Sequence, residues 1–183
     1  SDVVYQMLGV SDKFAKTKLY RDFKHDITKS FKKTLTRGHI LVDGNYSTLL
    51  GNPIEMLQES IGKFDGESHI GYGNIYCRRF ESGSTILGSR SPHVTMGNIL
   101  LAKNCGSKAI DTYLNLTNEI VCVNSINENI LMRLSGADFD SDTVLLTDDK
   151  ILVGAASRNY SRFLVPTSIV HANKVTRHYT QAD

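Results

Sequence analysis

Apolar residues near the N-terminus recur with helical spacing. Phe23, Ile27 and Phe31 stand at i, i+4 and i+8, Tyr20 and Leu35 extend the stripe, and cations cover the rest. This pattern predicts a long amphipathic helix ending at Gly38, a residue suited to a left-handed C-terminal cap. Lys32, Lys33 and Arg37 then lie favourably against the helix dipole. Beyond Gly38 the pattern becomes short β-type runs separated by turn residues. Residues 39–42 and 46–50 flank Asp43-Gly44-Asn45, and Gly51-Asn52-Pro53 follows. Residues 54–61 read as a short helix with Ile54, Leu57 and Ile61 on one face. Further strands are predicted at 70–78, 85–87, 98–102, 119–123, 130–134 and 143–146, with a last strand-like run at 163–165 broken by Pro166. Many short strands and few helices imply a barrel or a sandwich.

The chain has 183 residues, enough for one domain with an appendage and a core that needs no staple. No apolar run is long enough to span a bilayer as a helix, and the balanced composition excludes whole-chain disorder. Cys77, Cys105 and Cys122 are odd in number and form no C-x-x-C pair, which argues against a zinc ribbon and for a reducing compartment. No signal peptide is evident, so a cytoplasmic location is expected. The chain opens Ser1-Asp2 without a Met and reads as a piece of a longer protein.

Charge sharpens the division. Residues 13–37 carry nine Lys and Arg against Asp22 and Asp26, a local charge of +7 that leaves −5 for the remainder. Two readings of the basic helix stay open: a packed helix with a solvated lysine face, or a surface for nucleic-acid phosphates using Lys29, Lys32, Lys33 and Arg37. A membrane-surface helix fits the narrow stripe less well.

The richest stretch is Ser135-Gly136-Ala137-Asp138-Phe139-Asp140-Ser141-Asp142, set between strand-like residues and so expected on a loop between two strands. Carboxylates at i, i+2 and i+4 project to one side of extended backbone. At about 5 Å and an effective dielectric near 20, each pair repels by about 3 kcal/mol. A hard divalent cation such as Mg²⁺, Mn²⁺ or Ca²⁺ would offset that repulsion. A solvated acidic turn, a calcium loop and a catalytic Mg²⁺ site all compete here. The calcium reading lacks the EF-hand glycine, because Thr143 holds the sixth position, and Asp149 stands where the final Glu belongs. Elsewhere, Gly71-Tyr72-Gly73 reads as a bulged strand and Glu128 as a turn residue, and the scattered histidines have no assigned chemistry.

The acidic loop resembles the metal-binding motif of the double-psi β-barrel RNA polymerase superfamily. In the largest (β′) subunit of cellular polymerases that motif reads roughly N-A-D-F-D-G-D, and in the single-chain polymerases of RNA silencing it reads S-G-S-D-L-D-G-D. Upstream, residues 89–99 (S-R-S-P-H-V-T-M-G-N-I) are similar to the silencing-type R-N-P-C-L-H-P-G-D-I and to the β′ N-R-x-P-T-L-H, with Arg90, Pro92, Gly97 and Ile99 matching. Both motifs occur in the family's order. Weaker similarity extends the match over 37–170, including a β′-like run at 163–168. The chain departs at Ser141, where the family has Gly, and at Thr95, where it has His.

The resemblance implies a mainly β, α+β chain: a six-stranded double-psi barrel over 39–150, a basic helical lead-in over 1–38 and a C-terminal extension over 151–183. It implies a nucleotidyltransferase in which Asp138, Asp140 and Asp142 hold a catalytic Mg²⁺ (or Mn²⁺), while Arg90 and Pro92 meet the incoming NTP. Template, RNA product and a second, lysine-bearing barrel in the same or another chain would be its partners, with no membrane. A non-catalytic nucleic-acid-binding barrel and a calcium-stabilised domain remain alternatives.

Overall fold

A computed structural model describes residues 2–167, and the chain divides into two units, Ser1–Val42 and Asp43–Asp183. Part of the 151–183 extension, and Ser168 of the β′-like run, lie outside the described residues. In the first unit, helix α1 (Asp2–Val10) and a 3₁₀ turn (Asp12–Lys16) lead into α2 (Lys18–Thr36). Thr17 caps α2 by accepting from the Tyr20 N–H, and Gly38 follows its C-cap Arg37 at φ +81°, as the sequence predicted. None of the α2 side chains is buried, and Ile27, Phe31 and Leu35 of the stripe are exposed.

The second unit is a closed six-stranded barrel. Its strands are β1 (Asn45–Gly51), β2 (Asn74–Cys77), β3 (Thr85–Ser89), β4 (Leu100–Asn104), β5 (Ile120–Val123) and β6 (Thr143–Thr147). They close in the order β1-β5-β2-β4-β3-β6, so no sheet edge is left open. The β1–β5 and β2–β4 pairs are parallel and the others antiparallel. Alternate residues face inward, as the pleat requires. Leu49, Ile75, Cys77, Ile86, Leu100, Ala102, Val121, Val123, Val144 and Leu146 fill the interior, with Phe80, Ile130, Leu134 and Ala137 packed on them.

Helices α3 (Pro53–Ser60) and α4 (Lys108–Tyr113) cover a second core of Ile54, Ile70, Tyr76, Ile110 and Cys122 outside the barrel. Ser107 caps α4 by accepting from the Ile110 N–H. Burial raises the Tyr76 phenol, and its hydrogen bond to Asp111 adds to the effect. The three cysteines are free, and burial pushes the Cys122 thiol up to about 12, so it stays protonated and unreactive. Asn104 pins the turn after β2. Its Oδ1 accepts from the Cys77 N–H at 2.8 Å, and its Nδ2 donates to the carbonyls of Cys77 (3.0 Å) and Phe80 (2.8 Å).

Three predicted strands are not strands. Residues 39–42 have no ladder partner, and Ile40 and Leu41 are exposed. Residues 163–165 lie in irregular backbone ahead of Pro166. Residues 130–134 form instead a one-turn helix, α5 (Ile130–Arg133), because Ile130 and Leu134, four apart, both enter the core. The aspartate loop therefore joins a helix to β6, not two strands. Helix α6 (Lys150–Asn159) was not anticipated; Asp149 caps it by accepting from the N–H groups of Ile151 and Leu152. Among the described residues, no helix is long and apolar enough to cross a membrane.

Candidate metal and nucleotide site

The loop that carries the acids is anchored at both ends. Leu134 and Ala137 are buried on one side and Val144 on the other. Ser135 and Gly136 take successive left-handed conformations (φ +60° and +69°) and turn the chain out of α5. The N–H groups of Gly136 and Ala137 both donate to the Leu131 carbonyl at 3.0 Å. At the far end the Asp142 carbonyl accepts from the Leu49 N–H at 2.9 Å, which fastens the loop to β1. The ring of Phe139 lies against Gly51, where a Cβ would stand 2.7 Å from Cε2. The ring's close approach favours glycine there, and the ring lies over the middle of the loop.

Asp138, Asp140 and Asp142 each offer a carboxylate oxygen, and the three oxygens lie within 4.8 Å of one another. Asp142 is the most enclosed. Its Oδ1 accepts from Arg90 Nη2 at 2.6 Å and its Oδ2 from the Asp138 N–H at 3.0 Å. Those two bonds, the arginine's foremost, hold its carboxyl below the usual range. Asp140 behaves oppositely. Hydrogen bonding with the Asp138 side chain, and that neighbour's charge, raise its carboxyl above the usual range. Repulsion among clustered carboxylates is the condition a cation relieves, so the donor set fits a hard, oxygen-seeking metal ion.

Arg90 follows β3, the neighbour of β6, and reaches the loop that leads into β6, with only 20% of its side chain exposed. Its Nη1 also donates to the Ser135 carbonyl at 3.5 Å. Arg90 and Asp142 share a cavity of about 280 Å³ with Tyr46, Ser89, Ser91, Thr143 and Leu145. Pro92, exposed and preceded by a cis peptide, is not among the residues that line this cavity. Lys29, Lys32, Lys33 and Arg37 are exposed on α2 and its cap, in the other unit.

One feature escaped the sequence reading. Asn98 is buried, accepts from the Thr95 N–H at 2.9 Å and donates to the Met132 carbonyl at 3.2 Å, tying the arginine loop to α5. An Asn just ahead of an apolar strand was the available signal. Ser141, singled out in the sequence as standing where the family has Gly, has a φ of +95°, in the region glycine prefers.

No family model matches the chain, and no curated protein matches it. Among solved structures it is similar to the RNA-dependent RNA polymerase QDE-1 from Thielavia terrestris, at a TM-score of 0.55 and 13% identity. The likeness is one of fold: a closed six-stranded double-psi β-barrel with short helices. The match covers 91% of this chain and 16% of that one, so this barrel corresponds in fold to a small part of that longer chain.

Proposed function

We propose that this chain is the metal-bearing barrel of an RNA polymerase-like nucleotidyltransferase that adds NTPs to an RNA 3′-hydroxyl. The observation that carries this reading is the convergence of three carboxylate oxygens within 4.8 Å beside a fixed arginine, on a barrel of the polymerase type. Asp138, Asp140 and Asp142 would hold Mg²⁺ (or Mn²⁺), which when bound orients the attacking hydroxyl and neutralises charge on the transferring phosphate. Asp142 keeps its charge through Arg90, so one ligand is already ionised and oriented. Arg90 spends one N–H of Nη2 on Asp142 and one of Nη1 on the Ser135 carbonyl, and its remaining N–H groups would donate to oxygens of the incoming nucleotide in the adjoining cavity. Tyr46, on β1, walls the same cavity.

Template, RNA product and NTPs would be the partners, with a second, lysine-bearing barrel supplying charge over the substrate phosphates. The lead-in over 1–38 would contribute the basic contacts at Lys29, Lys32, Lys33 and Arg37, and the extension over 151–183 would flank the barrel. The non-catalytic alternative has one specific observation in its favour, the side chain at the strained Ser141. A calcium-stabilised EF-hand loop finds less support, because the loop runs into β6 where that motif needs a helix.

The test uses the longer parent protein with template, NTPs and Mg²⁺. Asp140→Ala should abolish synthesis while the protein stays folded, and calorimetry on the present chain should show Mg²⁺ or Mn²⁺ binding that the variant loses. Equal RNA synthesis by the two proteins would overturn the assignment.

A further inference from the structure

Gly71-Tyr72-Gly73 and Glu128 lie far apart in sequence and meet in space. The Gly73 N–H donates to Glu128 Oε1 at 2.9 Å, and Asn124 Nδ2 donates to Oε2 at 2.6 Å. Both carboxylate oxygens are thereby engaged in holding a turn. Gly71 and Gly73, at φ +74° and +71°, set Tyr72 at the apex of that turn with 79% of the residue exposed. Facing the same cavity, Arg133 at the end of α5 lies over Tyr160, its guanidinium carbon 4.6 Å from the ring centroid. Arg133 Nε donates to Asn129 Oδ1 at 3.3 Å, while neither Nη has a hydrogen-bond partner among the described residues. The cavity measures about 270 Å³, and Leu100, Leu101 and Ile130 add an apolar wall.

We propose that this cavity binds one unpaired nucleotide of a single-stranded RNA, away from the aspartate site. An exposed ring offers a stacking face to any base, and a cation held flat against a second ring offers donors to the flanking phosphate. The one acid in the wall, Glu128, has its oxygens turned to the Gly73 N–H and to Asn124 Nδ2. Arg133 precedes Ser135, whose carbonyl holds Arg90, so α5 links the cavity to the candidate site by covalent chain. That the bound strand is template or product rests on the polymerase reading; that a strand binds does not.

The test is fluorescence anisotropy of the full chain with a labelled oligouridylate, followed by 4-thiouridine photocrosslinking and mass spectrometry. Tyr72→Ala should weaken binding roughly 5- to 150-fold, the range for loss of one stacked base. Tyr72→Phe should restore it, and Arg133→Ala should weaken it and lower the salt slope by about one. The crosslink should fall on the Tyr72 or Tyr160 peptide. Unchanged melting of Tyr72→Ala, a surface substitution, controls for folding. Wild-type affinity in both alanine variants, crosslinks confined to α2, or no binding by the wild-type chain would each overturn the proposal. A parent that binds RNA through Tyr72 but never polymerises would sink the polymerase reading alone.

Discussion

Ser141→Gly should stabilise this protein, against the usual direction for glycine substitutions. Ser141 sits at φ +95°, well beyond the left-handed basin near +57° that non-glycine residues visit. Holding a side chain in such a region costs on the order of 1–3 kcal/mol. Glycine removes that cost, and gives back about 0.5–1 kcal/mol through the greater freedom of the unfolded chain. The net gain is about 0.5–2 kcal/mol. For a domain of this size class, each kcal/mol moves the thermal midpoint by about 2–4 °C, so the variant should melt roughly 3 °C higher near the middle of that range. Circular dichroism melts of the two chains, without metal and at one pH, measure it. A midpoint equal to or below the wild type would refute the strain argument and make Ser141 a residue the loop accommodates freely.

Asp140→Asn should raise the melting temperature of the metal-free chain at neutral pH, since its carboxyl is raised first by the hydrogen bond with the Asp138 side chain and then by that neighbour's charge, both of which favour a neutral group there. A group with a raised folded value contributes stability below the unfolded value and loses it as pH rises, so the gain should vanish in acid. With Mg²⁺ added, the wild type should gain midpoint and the variant should not; a common response would contradict the metal site. Asp142 has the opposite sign. Its lowered carboxyl contributes stability above the unfolded value near 3.9, lost as pH falls through the folded value. Arg90→Met should therefore flatten the melting curve between about pH 5 and the acid limit, and parallel curves would refute the coupling. Gly51→Ala places a Cβ against the Phe139 ring, an exposed side chain able to swing, so it should cost only about 1 kcal/mol yet weaken metal binding by releasing the loop. Calorimetry should show that loss; unchanged affinity would mean the ring does not locate the acids. Asn104→Ala should cost about 3 kcal/mol or more in a denaturant titration, since it strands the buried Cys77 N–H and two carbonyls; a cost below about 1 kcal/mol would refute the pinning role.

Local pattern carried much of the molecule. The 3.6-residue stripe and Gly38 defined α2 and its cap, because a helix and its terminus are set by residues within a turn of one another. All six barrel strands overlap predicted runs, since inward and outward faces alternate within a strand whatever its partner. The aspartates were legible as a group for the same reason: they are two residues apart. Helix or strand at 130–134 was decided by packing, where Ile130 and Leu134 had to reach one core from a short apolar run that suits either form. Residues 39–42 carried strand-like side chains but found no neighbouring ladder, and a strand cannot exist unpaired. Barrel closure joins β1 to β5 in parallel and to β6 in antiparallel, pairings that no window of sequence contains. The β3–β6 ladder brings Arg90 to Asp142 across 52 residues, and that contact lowers the Asp142 carboxyl, while the hydrogen bond and charge of nearby Asp138 raise that of Asp140. The sequence determined which residues could bind a metal ion; the tertiary structure decided which of them meets an arginine, because that depends on a neighbour distant along the chain.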